Sequence, residues 1–175
     1  MRRTICFLFF ALLMFLNIQA QNLPTVKIGN QEWMAINVDS AVDGSYSIKN
    51  NTLKTNNYGR LYDWETALKI CPAGFHLPTD EEWSKLTDTL GGINVAGRKL
   101  MTGGTSGFNA PLAGNYNKEL DILSFLDKNA YFWTATSFNA NVAWFRQISK
   151  KQTNINRSTV DKDYYFSVRC VKDSE

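Results

Sequence analysis

Positions 5–16 are apolar without a break, behind Arg2 and Arg3 and ahead of Asn17. Ala20 then precedes Gln21. A basic start, a short apolar run and a small residue at its exit are the pattern of a cleavable secretory leader, here residues 1–20. A spanning helix takes roughly 20 apolar residues, so the run is short for the alternative, a membrane anchor. The pattern then changes period. Val26 and Ile28 alternate with polar neighbours, Gly29-Asn30 marks a two-residue turn, and apolar positions resume over 31–38 with Trp33 and Met34. That predicts a β-hairpin. Residues 39–57 are polar and turn-rich and read as a long loop.

The middle of the chain reads as helical. Leu61, Trp64, Ala67 and Leu68 form one apolar stripe over 61–70, and Cys71-Pro72 stops it because proline disfavours a helical residue before it. A second helix begins after Thr79, where Thr79 and Glu82 can satisfy each other's amides in a capping box. Its inner face is Trp83, Leu86 and Leu90, and Gly91-Gly92 ends it. A shorter helix is predicted over 95–101. Beyond residue 102 the chain is loop-rich, punctuated by Gly103, Gly104, Gly107 and Gly114, with strands predicted over 131–137, 142–148 and 164–172. In the last, Phe166, Val168 and Cys170 share one face and Ser167 and Arg169 the other. The sum is an α+β domain: two main helices packed on small antiparallel sheets, with long irregular loops.

Composition sharpens this. Loss of the leader leaves residues 21–175 as a single domain. The chain carries 19 basic and 16 acidic residues, a net charge of +3. Removing Arg2 and Arg3 brings it near neutrality. The longest basic run is the pair Lys150-Lys151, which argues against nucleic acid as a partner. No later segment is apolar enough to span a membrane. Cys6 leaves with the leader and does not follow the cleavage point as a lipidated cysteine would. Cys71 and Cys170 remain, and an oxidising compartment allows them one pairing. The alternative is two separate buried thiols.

Five strings then fit one family. They are Tyr58-Gly59-Arg60-Leu61-Tyr62-Asp63-Trp64; Cys71-Pro72-Ala73-Gly74-Phe75-His76-Leu77-Pro78-Thr79 with Glu82-Trp83; Ser106-Gly107-Phe108-Asn109-Ala110; Phe132-Trp133-Thr134-Ala135-Thr136; and Ser167-Val168-Arg169-Cys170-Val171-Lys172-Asp173. Together they resemble the Fibrobacter succinogenes major paralogous domain, found in exported proteins of Bacteroidetes-type bacteria, from about residue 26 to 173. The resemblance implies a C-type-lectin-like fold, distantly similar to the formylglycine-generating enzyme. It also supports bridging Cys71 to Cys170. It implies no reaction.

The chemistry is therefore read from the residues. His76 is the only histidine, and its setting reads as structural, with no Ser or Cys triad in view. One histidine and a bridged cysteine pair make no zinc site. Asp161 and Asp163, in an acidic turn, are calcium candidates, with Asp121 and Asp127 flanking another loop; solvated turns are the alternative. The acidic and Trp-Asn-Asp motifs of sugar-binding C-type lectins are missing. Copper-dependent oxidase chemistry would need the two cysteines that the bridge uses. Asp80, Glu81 and Glu82 read as first-turn helix residues, and Gly103 to Gly114 as tight turns lacking a phosphate-loop ending. Trp33, Trp64 and Trp83 read as core. Trp133 and Trp144, with Arg146, Asn139 and Asn141, are the candidate ligand-binding set, since an aromatic beside amides and a guanidinium suits a sugar platform. Core packing is the alternative for each tryptophan.

The expectation is a secreted or cell-surface binding module without enzymatic activity or cofactor. It presents loops from 102–130 and 138–163 to a polysaccharide. The alternatives are an adhesive module for a surface protein and a cryptic enzyme. Asp39-Ser40-Ala41 is similar to the acceptor triplet of Bacteroidetes O-glycosylation.

Overall fold

The computed structural model describes residues 23–48 and 58–174. The expected leader and residues 49–57 of the expected long loop lie outside them. The chain begins with β1 (Thr25–Ile28) and β2 (Gln31–Met34), joined as an antiparallel hairpin in which Ile28 faces Gln31. Gly29 takes φ +60° in the intervening turn, a conformation open to glycine at no steric cost. Next come β3 (Ser45–Ser47), β4 (Arg60–Tyr62), the one-turn helix α1 (Trp64–Ala67) and β5 (Phe75–His76). Helices α2 (Asp80–Thr89) and α3 (Ile93–Leu100) follow. The remainder is β6 (Asn115–Asn117), β7 (Ile122–Ser124), β8 (Asn129–Ser137), β9 (Val142–Ser149), β10 (Ile155–Asp161), β11 (Tyr164–Ser167) and β12 (Val171–Lys172).

Two sheets result. The smaller has the order β1-β2-β12-β5, and the larger runs β10-β9-β8-β11-β4-β3 with the β6–β7 hairpin attached to β11. Among the strands named, pairing is antiparallel except between β8 and β11, where Ser167 lies beside Phe132 in parallel. The architecture is α+β, mostly sheet with few helices and no closed barrel among the described residues. None of the described helices is long and apolar enough to cross a membrane.

The two faces of the β8–β9 ribbon divide the core. On one side Trp83, Leu86, Ala96 and Leu100 from α2 and α3 meet Trp33, Phe108, Phe132 and Ile148. Trp33, Trp83, Phe108 and Phe132 form a knot with ring centroids 5.0 to 5.8 Å apart. On the other side Tyr62, Trp64, Leu77, Trp133, Phe145, Phe166 and Cys170 pack together. The expected core roles of Trp33, Trp64 and Trp83 hold. Cys71 and Cys170 form a disulfide with Cα atoms 5.9 Å apart.

The α2 expectation also holds. Thr79 Oγ1 accepts from the Glu82 amide at 3.1 Å, and Glu82 Oε2 accepts from the Thr79 amide at 2.7 Å. The helix expected over 61–70 is different. Leu61 lies in β4, paired with Tyr46 and Ser167, and Asp63 caps the single turn of α1 by accepting from the Thr66 amide at 2.8 Å. The cap falls in the middle of the stripe and overrides its period. The second main helix is therefore α3, which starts two residues before the expected 95–101. The strand expected over 164–172 divides: β11 joins the large sheet and β12 the small one. The buried link 168–170 stays bonded to the first segment, with Val38 N donating to Val168 O and Met34 N to Cys170 O, each at 3.0 Å. The expected loops contain β3, the β6–β7 hairpin and the whole of β10.

Candidate functional site

The expected ligand set does not converge. Trp133 is fully buried, and its indole N–H donates to the Tyr62 carbonyl at 2.8 Å. Arg146 is 2 % exposed and committed to α2: Nη1 meets Asp80 Oδ1 at 2.5 Å, and Nη2 meets the Asp80 carbonyl at 2.9 Å. Alternation along β9 does place Trp144 and Arg146 on one face, but that face turns toward the helices. Arg157, opposite Arg146 on β10, also holds Asp80 at 2.9 Å and lays its guanidinium 3.4 Å over the Trp144 ring. Phe138 stands edge-on to Trp144 at 5.4 Å and is 59 % exposed. Asn139 is used in closing the β8–β9 turn, where its Oδ1 accepts from the Asn141 and Val142 amides at 2.9 Å; the side chain of Asn141 remains exposed. Asp80 thus anchors two arginines, a role beyond the first-turn preference expected of it.

His76 is tied on both ring nitrogens, Nδ1 to Asp173 at 2.7 Å and Nε2 to Glu82 at 2.9 Å. Burial opposes its protonation, but the two carboxylates outweigh it and raise its pKa above the ordinary value. Asp161 and Asp163 border the β10–β11 turn and line a depression of about 380 Å³ with Glu65 and Glu119. Among the described residues no group of three or more His, Cys, Asp or Glu is placed to hold a metal. Asp121 accepts from Tyr116 OH at 2.8 Å, and Asp127 accepts a short hydrogen bond from Tyr58 OH.

A larger concavity lies elsewhere, a cleft of about 1100 Å³. Its walls are the segment 35–37, helix α3, the loop 101–112 and the β9–β10 turn. The loop is bound onto the end of α3: Ala110 N donates to the Leu100 carbonyl at 2.8 Å, and Ser106 Oγ to the Lys99 carbonyl at 2.7 Å. The turn is bound to the same helix, with Arg98 N donating to the Thr153 carbonyl at 3.0 Å and Thr153 Oγ1 to the Asn94 carbonyl at 2.8 Å. Gly97 allows this approach, since a Cβ there would fall 2.0 Å from the Asn154 carbonyl oxygen.

Beneath the cleft lies Arg169, fully buried. Its Nε and Nη2 both donate to Asn37 Oδ1, at 3.0 and 2.7 Å. Its Nη1 donates to the Met34 carbonyl at 3.0 Å and, by a short bond, to the Phe108 carbonyl. The guanidinium sits 4.2 Å from the centre of the Phe108 ring. Burial pushes its pKa down, to about 9, which leaves it a cation at neutral pH. Among the described residues no carboxylate pairs with it. The sequence carries a signal for this residue: an arginine between Val168 and Cys170, in a predicted strand whose other face holds Phe166, Val168 and Cys170.

Several of these features fall in the matched strings, among them Arg169, the Cys71–Cys170 bridge and the Thr79–Glu82 cap. The model of the Fibrobacter succinogenes major domain matches residues 26–172. The chain belongs to this family. The Fibrobacter succinogenes major domain here includes every described strand except part of β1, all three helices and all four walls of the cleft. No curated protein and no solved structure shows significant similarity to the chain.

Proposed function

We propose that this Fibrobacter succinogenes major domain is an exported binding module on a C-type-lectin-like scaffold, and that it takes carbohydrate in the cleft above Arg169. One observation carries the reading: a concavity of about 1100 Å³ in which the 101–112 loop and the β9–β10 turn are hydrogen-bonded to α3, and the 35–37 wall is tied to the loop through Arg169. Single small-molecule pockets run to about 300–1,000 Å³, so the space suits an extended ligand. Among the described residues its lining offers amides, hydroxyls, cations and apolar side chains, with one carboxylate and no histidine, cysteine or serine. That is an inventory for recognition. The disulfide agrees with an oxidising compartment and so with the leader read at residues 1–20.

A glycan array probed with the purified protein and with Thr105→Trp tests this. Thr105 is an exposed wall residue, so the variant narrows the cleft and leaves the core alone. Competable glycan binding that the variant loses is the expected result. Silence across the array defeats the carbohydrate reading. The exposed apolar tip of the β6–β7 region, with Leu120, Ile122 and Phe125 at 63, 49 and 52 % exposure, favours the second reading, adhesion to a protein.

A further inference from the structure

The charge around the cleft is one-sided. Arg98, Lys99, Lys150 and Arg169 line it against the single carboxylate of Asp127, which is already engaged by Tyr58 OH. Lys99 Nζ is tethered to the Leu90 carbonyl at 2.8 Å. Arg98 and Lys150 are exposed, and among the described residues neither makes an ion pair. Arg169 adds a fixed charge below the floor. Four of its five N–H groups reach the Asn37, Met34 and Phe108 oxygens, which are neutral acceptors, so its positive charge stays uncompensated. A cleft lined by one sign of charge over a low-dielectric floor concentrates its field on whatever enters. The imbalance is local, because the chain as a whole holds 19 basic and 16 acidic residues. Ile36 on the 35–37 wall and Val95 on α3, 40 and 41 % exposed, add apolar surface that suits the C–H faces of sugar rings.

We propose that the cleft takes an anionic glycan, whose carboxylate or sulfate groups are held by Arg98 and Lys150 over the buried charge of Arg169. The proposal deepens the carbohydrate reading and rests on it. Arg98 offers a planar fork suited to either oxyanion, and Lys150 a mobile point charge.

The test is titration calorimetry of the full protein with four probes: oligogalacturonate, dextran sulfate oligomers, neutral dextran oligomers and poly-glutamate. Saturable binding of oligogalacturonate or dextran sulfate is expected, and whichever binds identifies the oxyanion. Binding should weaken with added salt, since the two contacting charges are exposed. Arg98→Gln/Lys150→Gln should weaken it about tenfold, and the charge-matched Lys27→Gln/Lys69→Gln, on exposed residues outside the cleft, should not. Equal losses in both double variants would mean diffuse attraction and overturn the proposal. Neutral dextran binding as tightly as the charged sugars, in a form that Thr105→Trp abolishes, would overturn the anionic assignment while leaving the carbohydrate reading intact. Preference for poly-glutamate would remove both. Silence from all four probes also overturns the proposal.

Discussion

Arg169 shows what a buried charge does when its partners are neutral. Its fork knits the end of β2, the turn at Phe108 and the amide of Asn37 into one unit, and Asn37 Nδ2 passes the connection on to the Tyr58 carbonyl at 2.8 Å. A lysine cannot reproduce that fork. Arg169→Lys should therefore destabilise by about 3 kcal/mol or more, because carbonyl and amide acceptors are left unpaired in a dry site. Urea denaturation checks this, and a loss under about 1 kcal/mol would mean that the acceptors find other donors. His76 makes a second prediction. Its two carboxylate bonds raise its folded-state pKa above the unfolded value of about 6.5. Its contribution is then fully present below that unfolded value and fades as pH rises through the higher folded one. Melting temperature should fall between mildly acidic and alkaline pH, and His76→Gln should flatten that slope. An unchanged slope in the variant would place the proton elsewhere.

Whether an element could be foreseen depended on whether local chemistry or tertiary pairing decided it. The α2 helix was legible because its cap is local, and the β8 and β9 strands because large apolar residues, Phe132 and Ile148 on one face and Trp133 and Phe145 on the other, are buried on both sides. β10 was not: as an edge strand paired only to β9, its sequence Ile-Asn-Arg-Ser-Thr-Val-Asp keeps polar residues on its open side and shows no apolar alternation. The one-turn α1 was overcalled because the stripe Leu61, Trp64, Ala67 and Leu68 fits a helix, while the Asp63 cap and the β4 pairing divide it. The cleft was legible only as loops over 102–112, since its other walls come from 35–37, α3 and the β9–β10 turn. Trp133 and Arg146 were drawn into the candidate set by residue type, and packing assigned them to the core and to Asp80. Gly97 tests the element scale directly. Helix propensity alone predicts that Gly97→Ala stabilises α3 by up to about 1 kcal/mol. The added Cβ would meet the Asn154 carbonyl oxygen at 2.0 Å, so the opposite sign is expected, a loss of about 1–3 kcal/mol. Thermal denaturation decides between them, and a stabilised variant would show that the turn can retreat from α3 without penalty.

For the molecule as a whole, the Cys71–Cys170 bridge controls how the two sheets stay together. Cys170 sits in the link between β11 of the large sheet and β12 of the small one, while Cys71 lies on the short connection from α1 to β5. The bridge joins positions 99 residues apart, so without it the unfolded chain gains the freedom of a very long open loop. In the chain-entropy account, closing a loop of this size is worth about 4–5 kcal/mol. Cys71→Ser/Cys170→Ser should lower stability by about that amount in denaturant unfolding. The small sheet should loosen first, because β12 has only two residues and holds β2 through the single register pair Val171–Trp33. Hydrogen exchange would then show early loss of protection at β2, β5 and β12 while β8 and β9 stay protected, since the β8–β9–β10 ribbon carries its own dense pairing. Uniform loosening of both sheets would mean that the bridge braces the large sheet as much as the junction. The cleft provides a second reading of the same experiment. Arg169, beneath its floor, is the residue before Cys170, and its 35–37 wall continues from β2. A domain that loses the bridge should therefore lose ligand affinity before it loses the large sheet.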